Sequence, residues 1–271
     1  MFRIAKLLLD QKKPLRFLMS RLLMRSGLCV RLRIPRGDYD LIFFPTALSA
    51  SLWVDPENRR TEETFLSSLL EPGDVVIDVG ANIGSIALAC ARKVGPAGRV
   101  FAFEPHPRLF GFLLQNLALN HAGNVTAQRY ALGAADGSIG FTDNSSDDEN
   151  SVDADRGTIQ VDLRCLDDLV SVERIRLVKV DVEGYEAAVI RGGKSVLRRT
   201  DILYFEASPV FLHRYGTQWQ TLADELRGLG FTLYEREGDR LVSLRPELDR
   251  RLMVVALRAG THEYVAAARM F

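Results

Sequence analysis

Cysteine is scarce in this sequence: Cys29, Cys90 and Cys165 stand far apart, with no Cys-x-x-Cys or Cys/His spacing. That excludes a disulfide framework and a thiolate zinc site, and reads as reduced thiols in a cytoplasmic protein. Long apolar runs are also missing. No stretch approaches the length of a membrane span, and no compact apolar core with a small-residue cleavage site marks a secretory leader. The chain therefore reads as not integral to a membrane. No internal repeat is visible. Net charge is absent too, with 35 basic and 35 acidic residues. Yet residues 1–36 hold ten Lys/Arg and one acid, Asp10, a net of +9 that leaves −9 in the remainder. An acidic remainder makes nucleic acid an unattractive partner. An apolar fraction of 47% over 271 residues is enough for one α/β domain plus an extension.

Against those absences stands one organising stretch, Val75–Gly84, which reads VVIDVGANIG. An apolar run ends in Asp78 and passes through Gly80, Asn82 and Gly84 into a predicted helix over 83–93, a strand, tight turn and helix start of nucleotide-binding type. Gly80 is expected to let the backbone approach a ligand, and Gly84 to let the helix pack near the strand. Asn82 tolerates the left-handed conformation such turns need. A dinucleotide fingerprint would want glycine at 82 and 85, where Asn and Ser stand. The acid at 78 argues against a pyrophosphate and for a ligand with a cationic end, such as the amino group of S-adenosylmethionine.

Ahead of this loop, Leu15, Leu18, Met19, Leu22 and Leu23 form a helical stripe, with Arg16, Arg21 and Arg25 off it. The expected role is a helix docked by that stripe with its arginines in water; the alternative is a basic helix drawn to an anionic membrane surface. A shorter helix is predicted around residues 4–9, before Pro14. Leu28, Val30, Leu32 and Ile34 alternate as a strand would, and residues 39–44 predict its hairpin partner. A soft boundary falls in the polar segment 55–60, giving an extension over 1–58 and a main domain over 59–271. A helix over 61–70 leads into the central strand.

Beyond it, residues 99–103 predict a second strand ending in Glu104, placed 24 residues after Gly80, where an acid would reach the two hydroxyls of a ribose. Pro107 suits the first turn of a helix over 108–120. A third strand is predicted over 125–132, and a hairpin over 139–142 and 158–163. The polar stretch 143–155 between its arms reads as a surface loop without fixed structure, at an edge that also permits a lid. Residues 175–180 form the next predicted strand, ending in Asp181-Val182-Glu183-Gly184; strand alternation would point Asp181 and Glu183 the same way. A helix over 186–197, a strand over 202–205 ending in Glu206, a helix over 219–229 capped by Thr217, and strands over 231–236, 240–244 and 252–257 complete the pattern.

Four successive strands thus deliver Asp78, Glu104, Asp181 and Glu206 to the carboxyl edge of the sheet, where ligands bind in open α/β folds. Crowded carboxylates repel one another and serve folding poorly. The combination GDVVIDVGANIG, FEP, LDDL, KVDVEGYE and FEAS resembles the FkbM-type methyltransferases over about residues 61–208. The resemblance implies a Rossmann-like class I fold, a mostly parallel seven-stranded sheet with an antiparallel last strand and helices on both faces. It implies S-adenosylmethionine as cofactor and O-methylation of a small-molecule, sugar or polyketide-type hydroxyl. Asp78, Gly80, Asn82, Gly84, Glu104 and Ala131 are then the expected cofactor residues, and Asp181, Glu183 and Glu206 the expected catalytic ones. Asp181 is the first candidate for general base and Glu183 the second, with helix capping or pairing to Lys179, Arg191 or Lys194 as Glu183's structural alternative. Asp181 and Glu206 also sit where Mg²⁺ is bound in catechol-type methyltransferases, although the resemblance requires no metal. Phe211, His213 and Tyr215 are candidates for the acceptor pocket. An NAD-dependent oxidoreductase is the rival enzyme, and a non-catalytic membrane- or partner-binding module the rival outside enzymes.

Overall fold

A computed structural model describes residues 13–143, 150–153, 157–238, 240–245 and 247–261. The helix expected around residues 4–9 lies outside them. Strands β3 (Val75–Val79), β4 (Arg99–Phe103), β5 (Val125–Gln128), β9 (Ile175–Val180) and β10 (Thr200–Ala207) pair in parallel in the order β5-β4-β3-β9-β10. Every residue of β9 is buried, as a strand covered on both faces requires. Next to β10 comes β13 (Leu252–Arg258), antiparallel both to β10 and to β11 (Phe231–Glu237). These seven strands form the expected sheet; an eighth, β12 (Arg240–Ser243), adds an antiparallel edge beside β11.

Helices cover the faces: α3 (Arg60–Ser68), α4 (Ser85–Val94) and α5 (Pro107–Leu119) share one apolar cluster, and α7 (Glu186–Gly192), α8 (Lys194–Arg198) and α10 (Trp219–Gly228) another. Gly193 breaks the single helix expected over 186–197, and a Cβ there would meet Leu166. The helix α10 takes Gln218, not Thr217, as its N-cap; the Thr217 hydroxyl accepts a bond from Arg191 instead.

Three departures from the sequence reading shape the site. The third strand does not run through to Leu132. Ala131–Leu132 leaves the main sheet as β6 and pairs with β8 (Ile159–Arg164), whose other partner is β7 (Gly137–Phe141), so a three-stranded satellite sheet stands over the carboxyl edge. The polar stretch 143–155 is not wholly a surface loop: Asn150, Ser151 and Val152 are buried, and Val152 bridges to Phe141.

The third departure is N-terminal. Residues 28–31 form a 3-10 turn after α1 (Pro14–Ser26), and only Arg33–Pro35 is strand (β1), paired with β2 (Asp40–Ile42). The turn changes the period from two to three, so Cys29 is buried while Leu28 and Val30 are exposed. Of the predicted stripe on α1 only Leu23 docks. The helix packs through Ser20, Leu23 and Met24, the small Ser20 allowing close approach, and leaves Leu15, Leu18, Met19 and Leu22 exposed. From Cys29 through Leu52 the extension shares its core with the sheet. The side chains of Asn116 on α5 and of Asn120, its C-cap, bond the backbone of Ile42 and Asp40 across the join.

Candidate active site

The turn after β3 is built as its residue types demand. Gly80, Asn82 and Gly84 all have positive φ, at 78°, 51° and 91°. The glycines serve packing inside the protein, differing from the expected reasons. A Cβ at Gly80 would lie 2.0 Å from the Asp181 carbonyl oxygen, and one at Gly84 would lie 2.5 Å from Leu113 of α5. The loop also spends its own donors. Gly80 and Ala81 N–H bond the Phe103 carbonyl at 3.0 and 2.9 Å, and Gly84 N–H the Ala81 carbonyl at 2.8 Å. Ile83 N–H bonds the Asn82 side chain, and Asn82 N–H bonds Glu104 Oε2, both at 2.8 Å. Every amide from Gly80 to Gly84 thus has its partner inside the protein.

Glu104 is held at the end of β4 by that bond and by His106 N–H on Oε1 at 2.9 Å. Burial pushes its carboxyl up to about 7, with the two amide bonds opposing. Each oxygen keeps a lone pair for an incoming hydroxyl. Asp78 lies elsewhere. It is fully buried, and its cationic partner is the protein's own Lys179, with Nζ 3.1 Å from Asp78 and 3.8 Å from Asp181. The ammonium also donates to the Gly80 carbonyl at 3.0 Å. Burial alone would lower the Lys179 pKa, but Asp78 and Asp181 outweigh it and raise it. The acid before the first glycine therefore fastens β9 to the loop, with no face toward a ligand.

Over the loop opens a cleft of about 710 Å³. Of the expected cofactor residues, Gly80, Asn82, Glu104 and Ala131 line it, while Asp78 and Gly84 do not. Phe103, Leu109, Tyr130, Leu132, Phe141 and Val152 supply an apolar wall, the last two from the satellite sheet and the segment bridged to it.

A second cleft, of about 960 Å³, adjoins it and is lined by Asn58, Thr61, Glu62, Tyr204, Glu206, Arg236, Arg251 and Met253 among others. Arg59, Asp181 and Glu183 line both. Asp181, Glu183 and Glu206 do converge, with one oxygen of each within 4.8 Å of the others. Strand alternation is not the cause: β9 stops at Val180, and Glu183 turns back with a left-handed φ of 52°. Gly184 follows at φ 109°, where a Cβ would strike Phe211. Glu186 fixes the turn by accepting Val182 and Gly184 N–H. Glu183 neither caps the helix nor meets Lys179, Arg191 or Lys194; it pairs with Arg251 at 3.2 Å, and the same guanidinium bonds Glu206. Burial, with Asp181 and Glu206 nearby, pushes Glu183 up to about 7 against the pull of Arg251. Burial also raises Glu206. The three carboxylates fit a hard cation by donor type, but Arg251 already bridges two of them.

Some functional candidates escaped the sequence. Arg59 sits in the segment read only as a boundary and has φ 59°. Buried Arg36 moulds that segment, bonding the Pro56 and Asn58 carbonyls and pairing with Glu63 at 2.8 Å. Arg59 is the one cation among the described residues lining the first cleft, and its guanidinium has no acidic partner among them. Phe211, His213 and Tyr215 line neither cleft. Phe211 lies under Arg251, Tyr215 bonds the Val152 carbonyl, and His213 is exposed.

Comparison with known proteins bears on this geometry. A hexuronic acid methyltransferase from Haloferax volcanii is 34% identical over 155 residues, covering 54% of this chain and 62% of that protein. A methyltransferase from Beauveria bassiana is 31% identical over 143 residues, covering 43% and 57%. A 2-O-methyltransferase from Sinorhizobium fredii is 29% identical over 171 residues, covering 55% and 69%. The match thus spans about six tenths of the length of the first two relatives. The sequence profile of the methyltransferase FkbM domain matches residues 78–233, from the acid of β3 through β11. With that match covering more than half of its length, the chain belongs to the methyltransferase FkbM domain family.

Proposed function

We propose that the first cleft holds S-adenosylmethionine and that its methyl group passes to a hydroxyl of a sugar-like acceptor in the second. The observation that carries this reading is the meeting of the two clefts at Asp181 and Glu183. The residues suit the cofactor. Glu104 offers a fixed carboxylate to a ribose, and the apolar wall over it suits a flat base. Arg59 is the free cation for the one anionic group of the ligand, its amino-acid carboxylate. The same loop counts against the rival oxidoreductase, because a dinucleotide fingerprint wants glycine at 82 and 85, where Asn and Ser stand.

When bound, the cofactor supplies a methyl group on a sulfonium, open to in-line attack. The chain's own task is to hold the acceptor oxygen behind it and to take the hydroxyl proton. Orientation supplies much of the acceleration. Asp181 and Glu183, with Glu206 beside them, are the proton acceptor, Glu183 being pushed up to about 7 by burial and then by its acidic neighbours. Arg251 holds the cluster together and limits its charge. The polar lining of the second cleft favours a hydroxyl-rich acceptor over an apolar polyketide chain. A hexuronic acid methyltransferase and a 2-O-methyltransferase among the relatives support the same class. In this reading residues 59–271 are the catalytic unit and 1–58 an extension, whose part from Cys29 through Leu52 packs on it.

The test is calorimetric titration of S-adenosylmethionine and of NAD, followed by a screen of neutral and uronic sugars with Asp181→Asn as control. Saturable binding of the sulfonium alone, with methylation of a sugar hydroxyl, is the expected result. Binding of NAD instead would assign the cleft to the oxidoreductase.

A further inference from the structure

We propose that the first helix and the turn after it form a docking surface for an anionic lipid bilayer. Eight large apolar side chains are exposed among the described residues, and six of them fall between Leu15 and Val30: Leu15, Leu18, Met19, Leu22, Leu28 and Val30. The first four make one ridge along α1, at positions i, i+3, i+4 and i+7. The ridge is held facing outward because the opposite face of the helix is anchored. Ser20 is fully buried, Leu23 and Met24 pack on the core, Arg16 lies over Trp53 at 5.0 Å, and Lys13 pairs with Asp55 at 2.8 Å.

Charge identifies the partner. Between Pro14 and Gly37 the chain carries six arginines and no acid. Arg36 is buried against Glu63, whereas Arg16, Arg21, Arg25, Arg31 and Arg33 are exposed and have no acidic partner among the described residues. An aliphatic ridge flanked by long cationic side chains is the composition of a helix lying in a membrane interface, where the aliphatics enter the acyl boundary and the guanidinium groups reach headgroup phosphates. Juxtaposing the same surfaces of two copies would set Arg21, Arg25, Arg31 and Arg33 against their like, which disfavours self-association there. No helix among the described residues is long and apolar enough to cross a membrane, so the contact is with the surface.

Flotation of the full chain with vesicles tests this, using phosphatidylcholine alone and phosphatidylcholine with phosphatidylglycerol added. The expected result is binding to the anionic vesicles, weakening as salt is raised. Leu18→Ser/Leu22→Ser should lower that binding about tenfold or more through lost apolar burial. Arg21→Gln/Arg25→Gln should weaken it and flatten its salt dependence. These side chains are exposed, so circular dichroism and melting should match wild type. Absence of vesicle binding overturns the proposal, as does equal binding to neutral vesicles or ridge variants that bind like wild type. A dimer abolished by Leu18→Ser/Leu22→Ser, without vesicle affinity, would make the ridge a protein interface instead.

Discussion

Phe103, Leu109, Leu132, Phe141 and Val152 give the first cleft an apolar wall, whereas the second has Met253 as its one aliphatic side chain among Arg, Glu, Asn and Thr. The contrast follows from where each is built. The first lies between the β3 and β4 turns and a satellite sheet whose Ala131, Phe141, Val161 and Leu163 form an apolar cluster of their own with Val152. The second lies between the N-terminus of α3 and the ends of β10 and β13, where side chains meet water. An apolar slot excludes solvent and orients a flat ligand. A polar trough recognises by hydrogen bonds, each contributing about 0.5–1.5 kcal/mol net. Carboxylates at the boundary feel both environments, which is why Glu183 titrates near neutrality.

Separating the two clefts by mutation is the sharpest test of that division. Asp181→Asn/Glu183→Gln should lower kcat by about 10²–10⁴, the range for a lost general base. Cofactor affinity measured by calorimetry should change little. If the two clefts were one site, both quantities would fall together. Glu104→Gln should act on the other side, weakening cofactor binding by about 1.5–3 kcal/mol, the cost of losing a charged hydrogen-bond partner, while acceptor KM stays unchanged.

Arg59, facing both, refines the comparison. Arg59→Ala should weaken S-adenosylmethionine about tenfold, the loss of a charge-assisted contact, but leave decarboxylated S-adenosylmethionine unaffected. An acceptor KM that rises with cofactor affinity intact would move Arg59 to the second cleft.

The smallest effects are those of pH. Glu183 must be ionised to accept a proton, so kcat/KM should rise with pH through about 7 and then level. Arg251→Gln removes the cation that lowers this pKa, so the rising limb should move to higher pH. Glu104, Glu183 and Glu186 are all held near 7, above the ordinary 4.5. Between those values the folded chain binds more protons than the unfolded one, so stability falls as pH rises across the window, and melting at pH 5 and 8 should show it.

Much of the sheet was legible because its signals are local. β4 falls where the apolar run ending in Glu104 puts it, and β9 where Ile175, Leu177, Val178 and Val180 put it, its two charges Arg176 and Lys179 being buried against Asp201 and Asp78. The left-handed Asn82 was legible for a similar reason, as few side chains tolerate that conformation. The α1 stripe was misread because Leu, Met and Phe surround that helix, and periodicity could not choose between its two apolar faces. The third strand was read as continuous because its residues 125–132 carry no Gly or Pro to mark where it leaves the sheet.

The sequence by itself determined the α/β pattern, the glycine-rich turn and the delivery of acids to strand ends, because each depends on residues within a few positions of one another. Tertiary structure alone decided what those acids meet. Asp78 finds Lys179 across a strand pair, Glu183 and Glu206 are joined by Arg251 from 68 and 45 positions away, and Arg59 arrives in the cleft because buried Arg36 shapes its loop. Charges select partners by distance in space, and distance in space is set only when the chain has packed.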